Sequence, residues 1–295
     1  MKKYLIFSIL TLLSLVSSAQ STNLIFVQDS LKLISSQFKF TEGASVDKKG
    51  NIFFTDQPND KIWKYDFDGN LSLFMDKSGR ANGTYFDRKG NLIVCADENN
   101  QIWSIDKNKK VTVLFSDFEG KKVNGPNDIW IDKKGGIYFT DPYYQRDYWT
   151  RKSPEIVGEK VYYLPKGKKT AMVVAEDFKR PNGIVGTPDG KYLYVADRVA
   201  DVTYRYEIGQ DASLSNRQLL LRQGSDGMTL DSNGNIYLTG KGVDIYNPIG
   251  NKIGHIDVPE NWCGNICFGG KDRNILFITA SKSIYKIVTN AKGVE

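Results

Sequence analysis

The chain has 295 residues, a formal net charge of +6, and 40% hydrophobic and 12% aromatic residues. Chains of this length commonly form one large β-rich domain. A single histidine excludes zinc or iron sites built from several histidines, and an odd number of cysteines is unusual for a disulfide scaffold. The basic residues are dispersed, many of them at predicted hairpin tips, which favours solvated turns over a nucleic-acid surface.

The N-terminus has the pattern of a bacterial secretory signal. A basic start precedes an apolar stretch at Leu5–Val16 and the small residues Ser17-Ser18-Ala19. The apolar stretch is too short for a comfortable membrane span. We therefore predict a signal peptide over residues 1–19, cleaved after Ala19, and a single domain over residues 20–295. The expected location is periplasmic or secreted, without membrane association after cleavage; the alternative is an uncleaved anchor.

One short phrase recurs along the rest of the chain. It reads Asp-x-x-Gly-Asn-apolar-aromatic, followed by strand-like residues that often end in Thr-Asp or Ala-Asp. Glycine tolerates the positive φ of a tight hairpin, aspartate caps its own turn, and β-branched and aromatic flanks favour strands. Each copy therefore predicts a β-hairpin. The copies lie at residues 47–56, 87–97, 132–141, 187–197, 231–240 and, degenerately, 269–280.

The repeats are long enough for four strands each. A third strand follows in most copies, and a fourth follows in places, for example at Ala171–Ala175 and Arg217–Leu221. A period of roughly 40–55 residues without amphipathic helices is typical of propeller blades. Six copies predict an all-β fold, a six-bladed β-propeller with four-stranded antiparallel blades. The alternating segment Leu31–Ile34 is predicted to supply the outer strand of the last blade.

A polar residue stands five positions before the first residue of each repeated turn. Neighbouring blades of a six-bladed propeller are related by about 60° around the axis, so side chains at one phase of the innermost strand converge on the channel. The pattern predicts a ring of oxygen ligands that includes two carboxylates and no cationic side chain. Its members are Glu42, Asn82, Asn127, Asn182 and Asp226, with Asn265 in about the same phase of the last copy.

The chemistry of this ring predicts a divalent metal. Glu42 and Asp226 offer carboxylates, and Asn127 and Asn182 offer neutral amide oxygens. Such donors suit Ca²⁺, or less readily Mg²⁺ or Mn²⁺, and two carboxylates balance the charge of the ion. The alternative is that the Asn-Gly and Asp-Gly pairs are turn dipeptides. Turn chemistry does not require the Glu-Gly pair of the first copy, and this favours a metal site.

The longest interruption of the repeats is Pro142–Glu159, in the third copy. Long loops in compact domains are usually functional lids or disordered segments. The aromatic and basic content of this loop favours the wall of a pocket. Tyr143, Arg146 and Trp149 are therefore candidates for substrate contacts, and Asn82 of the ring is a fourth.

The histidine and the cysteines offer little chemistry. His255 lies in an alternating strand pattern, which favours a histidine on a strand face over a Ser-His-Asp arrangement. Cys95 is expected to be a buried small hydrophobe. Cys263 and Cys267 are about 13 Å apart if their segment is extended, too far for a disulfide unless a turn intervenes.

An ordered set of segments resembles the SMP-30/gluconolactonase family from about Phe40 to the C-terminus. The resemblance implies a six-bladed propeller with a divalent metal, commonly Ca²⁺ or Zn²⁺, in the central channel, and hydrolysis of sugar lactones in many members. The segments are Phe40-Thr-Glu-Gly-Ala-Ser-Val-Asp47, Asn124-Gly-Pro-Asn-Asp-Ile-Trp-Ile-Asp132, Tyr138-Phe-Thr-Asp-Pro142, Arg180-Pro-Asn-Gly-Ile184, Asp189-Gly-Lys-Tyr-Leu-Tyr-Val-Ala-Asp197, Asp226-Gly-Met-Thr-Leu-Asp231 and Asn265-Ile-Cys-Phe-Gly-Gly270.

The resemblance also implies roles for single residues. Glu42, Asn182 and Asp226 match metal-binding positions of the family. Asn127 matches an asparagine that completes the metal site or faces the substrate, and Asn82 matches a channel-facing position whose role varies.

The leading hypothesis is a secreted or periplasmic metal-dependent lactonase that opens a sugar lactone. Asp226 would be either the general base for a water molecule or a nucleophile. Family membership does not fix the substrate, so an organophosphate or aryl-ester hydrolase using the same metal is an alternative. A propeller that binds sugar or protein without catalysis is another. The oligomeric state is left open.

Overall fold

The predicted all-β, six-bladed propeller is confirmed. The computed structural model describes residues 30–294, so the predicted signal peptide lies outside the described residues. Six antiparallel four-stranded sheets are arranged around a central axis. The described part contains one short 3₁₀-helix, Gln57–Asn59, and no helix long and apolar enough to cross a membrane.

The blades follow one another along the chain, with the strands of the first five in sequence order from the axis outwards, while the sixth takes its outermost strand from the N-terminal end. The first three blades comprise β2 Thr41–Val46, β3 Ile52–Asp56, β4 Lys61–Tyr65 and β5 Leu71–Asp76; β6 Ala81–Phe86, β7 Leu92–Ala96, β8 Gln101–Ile105 and β9 Val111–Phe115; and β10 Ile129–Ile131, β11 Ile137–Asp141, β12 Glu159–Leu164 and β13 Met172–Phe178. The others comprise β14 Pro181–Gly186, β15 Tyr192–Asp197, β16 Val202–Ile208 and β17 Leu214–Leu221; β18 Met228–Leu230, β19 Ile236–Gly240, β20 Gly242–Tyr246 and β21 Lys252–Ile256; and β22 Cys263–Gly269, β23 Ile275–Ala280 and β24 Ser283–Val288 with β1 Lys32–Ser35.

The N-terminal strand closes the propeller as predicted. Strand β1 pairs antiparallel with β24 and is the outermost strand of the sixth blade, so that blade joins both ends of the described chain. The outer strands differ most from the sequence prediction: β13 ends at Phe178 rather than Ala175, and β17 begins at Leu214 rather than Arg217. Outer strands are largely exposed, so their apolar pattern is weak.

Glycines let the innermost strands of neighbouring blades approach closely. A Cβ on Gly43 would lie 1.9 Å from the backbone oxygen of Asn82, and a Cβ on Gly183 would lie 2.6 Å from that of Asp226. Gly83 and Gly227 are equally crowded by the next blade. The turn-dipeptide interpretation is therefore wrong for Asn82-Gly83 and Asn182-Gly183, which lie within β6 and β14.

Threonines of the second strands tie the first, third and fifth blades to the blade that follows each of them. Thr55 Oγ1 donates to the backbone oxygen of Asn82 at 3.1 Å, and Thr140 Oγ1 donates to that of Asn182 at 2.8 Å. Thr239 makes the same contact with Gly264 at 3.1 Å. These threonines belong to the Thr-Asp or Thr-Gly ends of the repeated phrase, so the repeat also encodes contacts between blades.

Candidate active site

The phased polar residues lie at the axis, at irregular points of the innermost strands. The pairing of the first two strands shifts register between Glu42 and Ser45, between Ala81 and Thr84, and between Pro181 and Ile184. Such bulges re-aim side chains and are frequent beside active sites. They explain how Glu42, Asn82 and Asn182 turn towards the channel while their strands remain paired.

Five of the six phased residues line one cavity of about 460 Å³ at the end of the channel where the first strands begin. They are Glu42, Asn82, Asn127, Asn182 and Asp226, all of them buried. Asn265 does not belong to this lining; its Oδ1 accepts the N–H of Ile266 at 2.7 Å, and its side chain lies against Gly227. The remaining lining residues are Phe40, Gln57, Pro58, Tyr144, Arg146, Arg198 and Trp262.

Asp226 is held by hydrogen bonds from two side chains. The indole N–H of Trp262 donates to its Oδ2 at 2.5 Å, and the side chain of Asn182 forms a further hydrogen bond. Burial raises the pKa of Asp226, while the Trp262 donor and the charge of Arg198 lower it. Because these partners favour the ionised form, they allow a carboxylate to persist in a buried position.

Glu42 has a less favourable environment for its charge. Burial raises the pKa of its carboxyl well above the ordinary value, and the nearby carboxylates of Asp226 and Asp128 raise it further. The N–H of Gly43 and the charge of Arg146 oppose this effect. Two buried carboxylates that repel each other form a site where a cation would be strongly stabilised.

These donors fit a hard divalent cation. All of the phased groups lining the cavity can offer oxygen atoms as ligands, with two carboxylates and three amides. The Nδ2 of Asn182 donates to the hydroxyl of Tyr144 at 3.3 Å, which leaves its carbonyl oxygen as the atom that could act as a ligand. Residues 30–294 contain no cluster of three or more histidine, cysteine, aspartate or glutamate side chains suited to a metal. Because the five phased groups all offer oxygen atoms, the set matches Ca²⁺ chemistry better than that of a softer metal.

The Pro142–Glu159 loop supplies one wall of the cavity, through Tyr144 and Arg146. The Nε of Arg146 pairs with Oδ2 of Asp97 at 2.8 Å, and the Asp97 side chain is only 2% exposed. The hydroxyl of Tyr148 and the Nε2 of Gln57 donate to the same carboxylate oxygen. A buried carboxylate at the end of β7 thus fixes the loop and directs Arg146 into the cavity.

Two of the predicted substrate contacts lie away from the cavity lining. Trp149 is buried beneath the loop, where its Nε1–H donates to the backbone oxygen of Asp97 at 2.9 Å. The Tyr143 hydroxyl contacts Gln145 Oε1 at 2.5 Å, and the Arg151 guanidinium lies over the Tyr143 ring. The structure thus places Asn82 and Arg146 at the cavity, while Tyr143 and Trp149 support the loop from outside it.

Sequence reasoning missed Tyr144, Arg198 and Trp262. Tyr144 adjoins a predicted contact, but a loop has no period that tells which aromatic side chain faces inward. Arg198 directly follows the Ala-Asp end of a repeated phrase, as Gln57 follows the Thr-Asp end of another, and both line the cavity. That shared position was the available signal.

The histidine and the cysteines lie elsewhere. His255 is on the outermost strand of the fifth blade, where its Nδ1 and Asp244 Oδ1 are 2.6 Å apart. The three cysteines are free and buried. Cys263 and Cys267 lie on one extended strand, β22, as the spacing argument requires.

The sequence matches a known family over most of its length. A sequence model described as the SMP-30/Gluconolactonase/LRE-like region matches residues 40–282. The gluconolactonase of Zymomonas mobilis subsp. mobilis is 28% identical over 298 aligned residues, covering 90% of this chain and 83% of that protein.

Solved structures show the same fold. A gluconolactonase from Xanthomonas campestris superposes with a TM-score of 0.85 at 23% identity, covering 91% of this chain and 92% of that chain. Regucalcin, a calcium-binding protein from Agrobacterium tumefaciens, superposes with a TM-score of 0.76 at 18% identity, covering 90% and 95%.

Proposed function

Because the chain belongs to the SMP-30/gluconolactonase/LRE-like family, we propose that it is a divalent-metal-dependent hydrolase that opens a sugar lactone. The observation that carries the proposal is the convergence of two buried carboxylates and three amide side chains on one cavity. The Zymomonas mobilis gluconolactonase, similar over 90% of the chain, supports a lactone as the substrate class.

Glu42, Asn127, Asn182 and Asp226 would hold the ion, for which Ca²⁺ is the best match to the donors; Zn²⁺, Mg²⁺ and Mn²⁺ are the alternatives. Four side chains leave room in the six to eight positions that Ca²⁺ ordinarily fills. When bound, the ion would act as a Lewis acid that polarises the lactone carbonyl. Asn82 and Arg146 would contact the hydroxyls of the sugar.

Asp226 is the proposed catalytic residue. Its Oδ2 accepts the Trp262 N–H, and the carboxylate would take a proton from a water molecule as that water adds to the carbonyl carbon. The carbonyl carbon then loses its bond to the ring oxygen, which leaves as a hydroxyl after protonation. In the alternative route Asp226 attacks the carbonyl carbon itself, and water cleaves the resulting anhydride. Single-turnover hydrolysis in ¹⁸O-water separates them, because only the second route can label the Asp226 carboxylate.

A lactone hydrolysis assay, corrected for the spontaneous rate, tests the function. We expect activity that is lost on chelation and restored by Ca²⁺, and loss of activity in Asp226→Asn and Glu42→Gln. Full activity in a chelated, metal-free sample would refute the metal dependence. No lactone hydrolysis by the metal-loaded protein would leave a binding propeller or another ester as substrate, and phenyl acetate and a phosphotriester belong in the same assay.

The proposal also includes export of the protein from the cytoplasm. The pattern of residues 1–19 supports cleavage after Ala19 and a periplasmic or secreted enzyme. Expression of the full chain in a bacterium should give a mature protein that begins at Gln20 in the periplasmic fraction. Recovery of the intact N-terminus in the cytoplasm would contradict export.

A further inference from the structure

Two arginines line the cavity, Arg146 and Arg198, and Arg180 stands beside them over the Tyr144 ring. Arg146 is bound by Asp97, as described above, and the Nε of Arg180 lies 3.2 Å from Oε1 of Glu159. For Arg198, in contrast, no carboxylate among residues 30–294 lies within the 4.0 Å of an ion pair. Arg198 thus brings an unpaired positive charge to the lining of the cavity.

The position of Arg198 is defined by stacking. Its guanidinium carbon lies 4.4 Å from the centroid of the Trp262 ring, and Trp262 is anchored in turn by its hydrogen bond to Asp226. Stacking occupies one face of the guanidinium and leaves its in-plane N–H groups free to donate. An arginine oriented in this way is suited to bidentate recognition of a planar or tetrahedral oxyanion.

We propose that Arg198 forms an anion subsite and that the preferred substrate is a lactone bearing an acidic substituent, such as a carboxylate or a phosphate, remote from the reacting carbonyl. This inference rests on the proposed lactonase function and narrows its substrate class. The acidic group would bind the edge of the Arg198 guanidinium, while the carbonyl faces Asp226 across the edge of Trp262. The same arginine would also bind the acidic group of the opened product.

The competing role for Arg198 is purely electrostatic, since its charge lowers the pKa of Asp226. The two roles predict different selectivity. If Arg198 acted only through Asp226, its replacement would slow the hydrolysis of every lactone by a similar factor. Loss of an anion subsite would raise KM for the acidic lactone and so reduce the ratio of kcat/KM for acidic over neutral lactones.

The test compares the hydrolysis of three lactones by the Ca²⁺-loaded mature enzyme. Glucono-1,5-lactone is neutral, glucaro-1,4-lactone carries a carboxylate and 6-phosphoglucono-1,5-lactone carries a phosphate. We expect the wild type to prefer one of the acidic lactones in kcat/KM, and Arg198→Gln to reduce that preference about tenfold or more, mainly through KM. Arg198→Lys should restore it only in part, because an ammonium group cannot bind in a bidentate manner.

A matched control is available on the outer surface. Arg217 also stacks on aromatic rings, with its guanidinium carbon 3.9 Å from the centroid of Tyr204, but it lies on β17 outside the cavity lining. Arg217→Gln should leave kcat/KM for all three lactones unchanged. Equal reduction of all substrates in Arg198→Gln, or a wild type without preference for either acidic lactone, would overturn the anion subsite and leave the lactonase function standing. Absence of hydrolysis with all three lactones would instead contradict the proposed function.

Discussion

Trp262 links the proposed catalytic carboxylate to the rim of the cavity, because its Nε1–H donates to Asp226 Oδ2 at 2.5 Å while its ring carries Arg198. Trp262→Phe keeps a ring for stacking and removes the donor. A hydrogen bond to a charged group is worth about 1.5–3 kcal/mol, so we expect roughly a tenfold or greater loss in kcat or in metal affinity. Steady-state kinetics and calcium titration would measure this.

A second indole serves as the control for that variant. Trp103 donates its Nε1–H to Gln101 Oε1 at 2.7 Å on β8, away from the cavity lining. Trp103→Phe should change neither kinetics nor calcium affinity. If Trp262→Phe behaves in the same way as Trp103→Phe, the indole does not orient Asp226.

The Asp97 carboxylate should control the loop that forms the cavity wall. Asp97→Asn keeps the volume of the side chain but removes the charge that holds Arg146 and replaces one of the two acceptor oxygens with an NH2 group. We expect KM for the lactone to increase several-fold and the protein to lose about 1–3 kcal/mol of stability, since three donors that share a charged acceptor would be left with one neutral amide oxygen. Urea unfolding and steady-state kinetics would measure the two effects.

Glu155 provides the comparison within the same loop. Its Oε2 accepts the N–H of Lys122 at 2.8 Å in an exposed position that does not line the cavity. Glu155→Gln should have little effect on KM. Equal KM values in wild type and Asp97→Asn would show that Arg146 does not depend on this anchor.

The sequence was sufficient for the fold because each repeat encodes the same local structure. The Asp-x-x-Gly turns appear where the pattern places them; for example, Asp47 Oδ1 accepts the N–H of Lys49 at 2.8 Å. The closing strand was also predictable, since Leu31–Ile34 alternates and the last repeat lacked a fourth strand. Six copies give six indications of the same blade, so an error in the strand limits of one copy did not alter the predicted architecture.

The site was predictable only where it shares that period. Glu42, Asn127, Asn182 and Asp226 line one cavity because they occupy the same phase of the first, third, fourth and fifth blades. Tyr144 and Trp262 reach the cavity from non-repeating segments, and their orientation depends on tertiary contacts with Asn182 and Asp226. The sequence pattern contains no local signal for such contacts.

Because the innermost strands pack closely at the axis, adding one methyl group there should strongly reduce stability. A Cβ on Gly183 would lie 2.6 Å from the backbone oxygen of Asp226, so Gly183→Ala must displace the strand that carries a proposed ligand. We expect a loss of about 1–3 kcal/mol of stability and weaker calcium binding. On the outer strand β21, a Cβ on Gly254 would meet only the side chain of Ile245, no closer than 3.3 Å, so Gly254→Ala should cost less stability. Equal stability and calcium affinity in the two variants would contradict this packing.

Glu42 should link pH, stability and metal binding. Burial and the neighbouring carboxylates of Asp226 and Asp128 raise its pKa above the ordinary value of 4.5 in the metal-free fold. The folded state therefore holds this proton more tightly than the unfolded chain. The contribution of Glu42 to stability is fully present below the unfolded pKa and is lost as pH rises through the higher folded pKa.

Calcium should reverse that trend, because it binds the ionised carboxylate and its affinity increases as protons cease to compete. Thermal unfolding across the acid-to-neutral range would measure how stability changes with pH, once in the presence of a chelator and once in the presence of calcium. In Glu42→Gln the decline with pH of the metal-free protein should be smaller and the gain from calcium should be lost, whereas Glu207→Gln, at an exposed site on β16, should match the wild type. If Glu42→Gln and the wild type had the same pH slope and the same calcium-induced shift, Glu42 would not be a buried ligand, since neutralising a buried ligand must alter both quantities.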